Sequence, residues 1–305
     1  MKKAKAPPKK KKAAPKKKAA PKKKAASAWS ISIDDVAIDE AGTMFALEVA
    51  TDGEDVASAV RALDSAGEAK VLYETEDQLL TLWRSPAGSL FATDLHGRVF
   101  SFEGGSWHLN DASAAGALTA LWGFDEAAVY AGGATGEIVA RLGGTWAPLG
   151  RGFRFQGTVY SIHGRSRDEL YAAGERGQLA RFDGTSWSQL ELGTKADLHA
   201  VRALPDGDLA VCGAGGFMAV GKAGHWRTIG GAPGDLYALA HHRGRIWAGA
   251  GELGIWALEG DRLAVVKDNV YTFAIDANAR YLATAGNDEA VRFDGQEWMA
   301  TSLEF

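Results

Sequence analysis

The chain has 305 residues, 46% of them hydrophobic, and a single cysteine, Cys212. That length allows one large core or two ordinary ones, and one cysteine excludes an intrachain disulfide framework. The net charge of −4 hides an asymmetry: residues 1–24 hold 13 lysines and no acid, so the remainder carries 21 basic against 38 acidic side chains.

Residues 1–27 read MKKAKAPPKKKKAAPKKKAAPKKKAAS, with the unit AAPKKK repeated at 13–18 and 19–24. Self-repulsion and proline oppose a helix, and nothing apolar is available to bury, so a disordered arm is expected. Its candidate polyanion-binding residues are Lys9, Lys10, Lys11, Lys12, Lys16, Lys17, Lys18, Lys22, Lys23 and Lys24. Nucleic acid, polyphosphate and anionic lipid all meet the charge requirement. No aromatic residue is interleaved, so base stacking is not expected. The alternatives are a solubilising linker or an arm that folds back on the acidic remainder. In composition the arm resembles the lysine-rich tails of linker-histone-like proteins, bacterial ones included.

From about Trp29 the texture changes to short apolar segments separated by turn residues. First strands are expected near Ile33, Leu79, Leu118, Val159, Leu198, Leu236 and Val270, between 34 and 46 residues apart. A period near 40 with two-residue alternation inside each unit predicts an all-β fold. The fold class expected is a single β-propeller of seven four-stranded blades over residues 28–305. Unit three shows the four strands as LTALWG (118–123), AAVYAGG (127–133), EIVARL (137–142) and WAPLG (146–150). Unit one (36–75) keeps the strand rhythm but lacks the Gly-x-Trp turn, so six blades behind a cap is the alternative. The final EWMATSLEF reads as a complete outer strand, which predicts closure between intact first and last blades.

The recurring phrase is clearest at Leu170–Trp187, LYAAGERGQLARFDGTSW. Its glycines suit turns that need φ > 0. Its Trp recurs as Trp107, Trp146, Trp187, Trp226 and Trp298, with Leu263 in that place in unit six. Repetition predicts packing, with the ring covering a blade edge and its N–H near water. Stretches such as LTALWGFDEAAVYAGGATGEIVARLGGTW and VYSIHGRSRDELYAAGERGQLARFDGTSW resemble WD-repeat-like and BNR/YVTN-like bacterial propellers over about 79–305. The resemblance implies the fold; functions within that class are diverse.

No catalytic set emerges. RFDGTSW (181–187) and RFDGQEW (292–298) lack the Ser of a sialidase Asp-box, and Arg84, Arg141, Arg165 and Arg202 fall on different units. Asn110, Asn278 and Asn287 fall in expected turns rather than on inner strands, against a lactonase-type metal site. The adjacent His241 and His242 would point to opposite faces of a strand, so they cannot share one metal. No metal, cofactor or catalytic residue is assigned, and Cys212 reads as an inert core thiol.

One constellation stands apart. The second position of each inner strand reads Asp34, Leu80, Thr119, Tyr160, His199, Tyr237 and Tyr271. The candidate ligand-binding set at the channel mouth is therefore Asp34, Tyr160, His199, Tyr237 and Tyr271. Such rings suit sugars, peptides or cationic groups. The alternative is that they fill gaps between blades. The function expected is a non-catalytic scaffold for an unidentified protein partner. The alternatives are a nucleic-acid- or polyanion-associated protein anchored by its arm, and a propeller hydrolase acting on a sugar or lactone. A cytoplasmic, monomeric propeller without a membrane span is expected.

The arm is tested by a gel shift that compares the full chain with residues 28–305. Binding by the full chain alone is expected, with a log–log salt slope no steeper than about −12. Equal retention of nucleic acid by both forms would remove the arm as the anchor.

Overall fold

The computed structural model describes residues 29–112, 116–232 and 234–302. The lysine arm, Lys9 to Lys24 included, lies outside the described residues. Seven sheets follow one another along the chain, each with at least four antiparallel strands, and together they form a seven-bladed propeller. Blade one comprises Ser30–Ile38, Met44–Thr51, Val56–Leu63 and Ala69–Thr75. It is a true blade, so the cap alternative falls. The later inner strands are Leu79–Arg84, Leu118–Asp125, Val159–Ser166, Leu198–Ala203, Ala238–His242 and Ala274–Ala277. Blade four gains a short fifth strand, Arg151–Gly152, parallel to Ser186–Leu190.

The core is divided by the same geometry. Seven apolar clusters form, one in each gap between neighbouring blades. Between blades three and four, for example, Tyr130 and Ala140 meet Val159, Leu170, Phe182 and Trp187. Second strands have both faces covered by neighbours, and Leu90–Asp94 and Leu209–Gly213 are buried throughout. Small residues fit there because two blades press on one strand.

The repeated outer-strand Trp fills the gap toward the preceding blade, as Trp107, Trp146, Trp187, Trp226 and Trp298 each show. Leu263 does the same in blade six. The expectation that the indole N–H stays near water is corrected. Trp107 Nε1 donates to Leu72 O at 2.9 Å and Trp187 Nε1 to Leu149 O at 3.1 Å, both on the preceding blade. The Nε1 atoms of Trp146 and Trp226 are buried without a protein partner. Glycine is required at the turn after the second strand: Gly177 has φ 71°, and a Cβ there would lie 2.2 Å from Thr194 O. Asn110 lies within the outer strand Ser106–Asp111 rather than in a turn.

An inner strand has one edge paired within its blade, while the other faces the channel. Backbone groups on such an edge need partners. The preceding blade supplies them from side chains at every joint. Asp35 Oδ2 accepts from Leu82 N at 2.8 Å, Thr93 Oγ1 donates to Leu118 O at 2.7 Å, and Thr119 Oγ1 donates to Val159 O at 2.8 Å. Ser161 Oγ accepts from Val201 N, and His163 Nδ1 accepts from Ala203 N, both at 3.2 Å. His199 Nδ1 donates to Leu236 O and His242 Nδ1 to Asn278 O, each at 2.9 Å. Asp276 Oδ2 accepts from Ile38 N at 2.9 Å and returns the ring to blade one.

Closure between blades seven and one uses no shared strand, as expected. Asn278 is central to it: Nδ2 donates to Asp39 O at 2.8 Å, while Oδ1 accepts from Arg280 N and Tyr281 N. Asn278→Ala is expected to destabilise the protein by about 1–3 kcal/mol, since it strips the Nδ2 bond across the part-buried seam and the two bonds that hold the turn beside it. Hydrogen exchange should then quicken first along blades one and seven; uniform quickening around the ring would contradict this reading of the seam.

Candidate functional site at the channel mouth

Inner strands start at one face of the ring. In the first five blades one residue of each, the second in blades two to five and the fifth of Ser30–Ile38 in blade one, stands at the channel mouth. In five blades that residue is a β-bulge, skipped by the pairing register: Asp34, Leu80, Thr119, Tyr160 and His199. A bulge releases the residue from the ladder and re-aims its side chain. In blades six and seven the strand starts two residues later, at Ala238 and Ala274, just after that position. Tyr237 N still donates to Gly249 O, and Phe273 N to Ala285 O.

The structure brings Tyr160, His199 and Tyr237 into one arc. Tyr160 meets His199 edge-on with centroids 5.6 Å apart, and His199 stacks on Tyr237 at 5.5 Å and 8°. The next ring in the arc is Phe273, edge-on to Tyr237 at 4.9 Å. Here the expected register is corrected. Thr272 and Phe273, not Val270 and Tyr271, are the counterparts of Leu236 and Tyr237. Thr272 is fully buried like Leu236. A polar residue at an apolar position, and a slip of two that preserves facing, concealed the match. Tyr271 stands outside the arc but lines a cavity of about 490 Å³ with Asp34, Glu252, Phe273 and Asn287. Asp34 closes the set, and Ser32 Oγ donates to its Oδ1 at 2.6 Å.

Tyr237, Tyr271 and Phe273 are 36–40% exposed. Large apolar side chains at one mouth form a patch rather than scattered surface residues. Gly251 lies beneath it with φ 58°, and a Cβ there would come within 2.9 Å of Tyr237 and 3.0 Å of Phe273. Acids border the patch. Burial raises the Asp34 pKa against the Ser32 hydrogen bond. Hydrogen bonds from Thr158 hold Glu175 below its usual range. Burial, then the Glu175 charge, push the Tyr160 phenol up.

The channel is a cavity of about 300 Å³ that runs inward from Tyr160, His199, Tyr237 and Phe273 at the mouth. Its lower tier contains Trp83, Trp122, His163, Arg202 and Asp276, with Asp35 between tiers. Asp276 escaped sequence reading through the same two-residue slip, which put Ala274 in its place. A charged residue at the fifth inner-strand position, already visible at Arg202, was the available signal. His242 is buried and stapled to blade seven while His241 is half-buried, as opposite facing requires. Asp77, Asp94 and His96 converge closely, but Arg98 already supplies positive charge through Asp77 at 2.6 Å and Asp94. Burial pushes the Cys212 thiol far up, consistent with an inert core residue.

No family model matches the chain. It is 28% identical over 144 residues to the immune protein Tsi7 of Pseudomonas aeruginosa, covering 45% of this chain and 47% of that protein. The chain thus spans about half the length of the curated relative it matches. Among solved structures it is similar to the WD40 propeller domain of Doa1, with TM-score 0.71, 13% identity, and coverage of 89% and 96% of the two chains. It is also similar to virginiamycin B lyase from Staphylococcus aureus (TM-score 0.68, 10% identity, 85% and 99% coverage). YCF48 bound to D1 peptide gives 0.57, 13% identity, and 73% and 80% coverage. These likenesses show the fold.

Asp35 supplies a pH test. Burial, opposed by hydrogen bonds from Leu82 and Val36, raises its pKa from 3.8 to about 7. The folded state therefore holds a proton that the unfolded state has released between about pH 4 and 7. The associated stability is full below pH 4 and is lost as pH rises toward 7. Relative to Asp35→Asn, the protein should lose a few kcal/mol between pH 5 and 8, at about 1.4 kcal/mol per pKa unit. Parallel curves from chemical denaturation would show that Asp35 does not titrate this way.

Proposed function

We propose that the protein is a non-catalytic binding scaffold whose docking face is the channel mouth. The observation that carries this is the exposed patch of Tyr237, Tyr271 and Phe273, set in the ring and bordered by Asp34 and Glu252. Aromatic anchors on a preformed surface are where binding energy concentrates. The acids favour a protein partner with basic side chains, whose cations can lie on the ring faces. Similarity to the WD40 domain of Doa1 and to YCF48 bound to D1 peptide supports a binding role. So does the name immune protein carried by the partial relative. The repeat resemblance to WD-repeat-like, BNR/YVTN-like propellers points the same way.

The test uses the full chain as bait and the double variant Tyr237→Ala/Tyr271→Ala. A stoichiometric partner of the unmodified protein should bind the variant at least about tenfold more weakly, roughly 1.4 kcal/mol. Melting should change by only a few degrees, because both rings are more than a third exposed. Unchanged binding with lost stability would mean that these rings serve packing alone.

A further inference from the structure

Arg202 is not explained by the staples. It sits at the fifth position of the inner strand Leu198–Ala203 and lines the 300 Å³ cavity. Burial lowers its pKa, opposed only by the charge of Asp276 at longer range. Among the described residues its guanidinium makes no hydrogen bond, and no ion pair within 4 Å. Arg202 is half-buried at the channel wall, and its five donors, without a protein partner among the described residues, are open to a group in the channel.

Its surroundings have two poles. On one side stands His163 of blade four. Its Nδ1 accepts from Ala203 N, so the proton of the neutral ring is on Nε2, a donor. Burial, then Arg202 and Arg165, keep that ring neutral. Facing them are Asp276 of blade seven and Asp35 of blade one. Each accepts from backbone N–H groups. Burial raises both pKa values, and an ammonium placed beside them favours the carboxylate form, which offers about four lone-pair sites and so leaves acceptor capacity. Arg84, the other guanidinium near Asp276, donates to Ser85 O and lies over Phe45. Trp83 and Trp122 add an apolar wall, with Trp122 4.5 Å from His163.

A donor pole and a carboxylate pole in one small cavity match a ligand carrying both charges. We propose that the channel binds a small zwitterion of the α-amino-acid class, with its carboxylate forked on Arg202 beside His163 Nε2–H and its ammonium against Asp276 and Asp35. The side chain lies along Trp83 and Trp122. A simple anion leaves two carboxylates facing it, and a simple cation leaves the guanidinium unpaired. Tyr237 and Phe273 of the docking face line the same cavity, but none of the contacts proposed here uses them.

The full-length protein is titrated with each of the twenty common amino acids by calorimetry and thermal shift, to about 10 mM. At least one is expected to bind one-to-one with a Kd of about 1 mM or tighter. Its deaminated acid and its decarboxylated amine should each bind at least about tenfold more weakly. Arg202→Gln and Asp276→Asn should lose a similar factor, whereas Lys222→Ala, at the exposed end of the strand Met218–Lys222, should not. If Arg202→Gln does not fold, Arg202→Lys keeps the charge without the fork and should still lose about fivefold. No binding by any of the twenty, equal binding by either analogue, or unchanged binding in the folded Arg202 variant overturns the proposal.

Discussion

The structure depends on how the open edges of seven inner strands are closed. A strand that lines a channel cannot pair on that side, and its N–H and C=O groups still need partners. Here each blade lends a side chain to the backbone of the next, from Asp35 on Leu82 round to Asp276 on Ile38. These bonds are individually modest, near 1 kcal/mol each. Their arrangement as a closed circuit matters more, because each fixes the angle at which two apolar faces meet. The seven inter-blade clusters then supply most of the cohesion through burial.

That circuit explains why a channel so rich in polar residues need not be a catalytic one. Thr93, Thr119, Ser161 and His242 are committed to the neighbouring backbone. His199 is half committed: its Nδ1–H is bonded, while its ring faces Tyr160 and Tyr237. What lies beyond the circuit is unevenly placed. Exposed rings gather at the mouth on blades six and seven, and the guanidinium of Arg202 lies in the channel. Blade-to-blade packing does not account for these groups.

Closure shows the same economy of means. Blade one lacks the repeated Trp, and Met44, Leu63 and Tyr281 fill its gap with blade seven. Its strands are the longest set, and its upper part extends an apolar wall of Ile31, Ala50, Ala57 and Ala59 beside Trp29. Divergence of the first repeat therefore reflects a seam without strand exchange, held by Asn278, Arg280 and Arg292 against backbone oxygens of blade one.

The sequence by itself determined the ring. A 40-residue period, glycine turns and a recurring Trp are local signals, the Trp in five of the seven units, so seven four-stranded blades were legible from the chain alone. Tyr160, His199 and Tyr237 were legible too, because their inner strands keep the shared register. Only the tertiary structure decided which residue follows them. A shift of two leaves a strand's facing unchanged, so Tyr271 and Phe273 were equivalent on pattern alone, and neighbouring blades had to choose. It alone separated stapling side chains from unpartnered ones as well. Whether Asp276 holds Ile38, or Arg202 holds nothing nearby, depends on groups dozens to hundreds of residues apart that meet only when the ring closes.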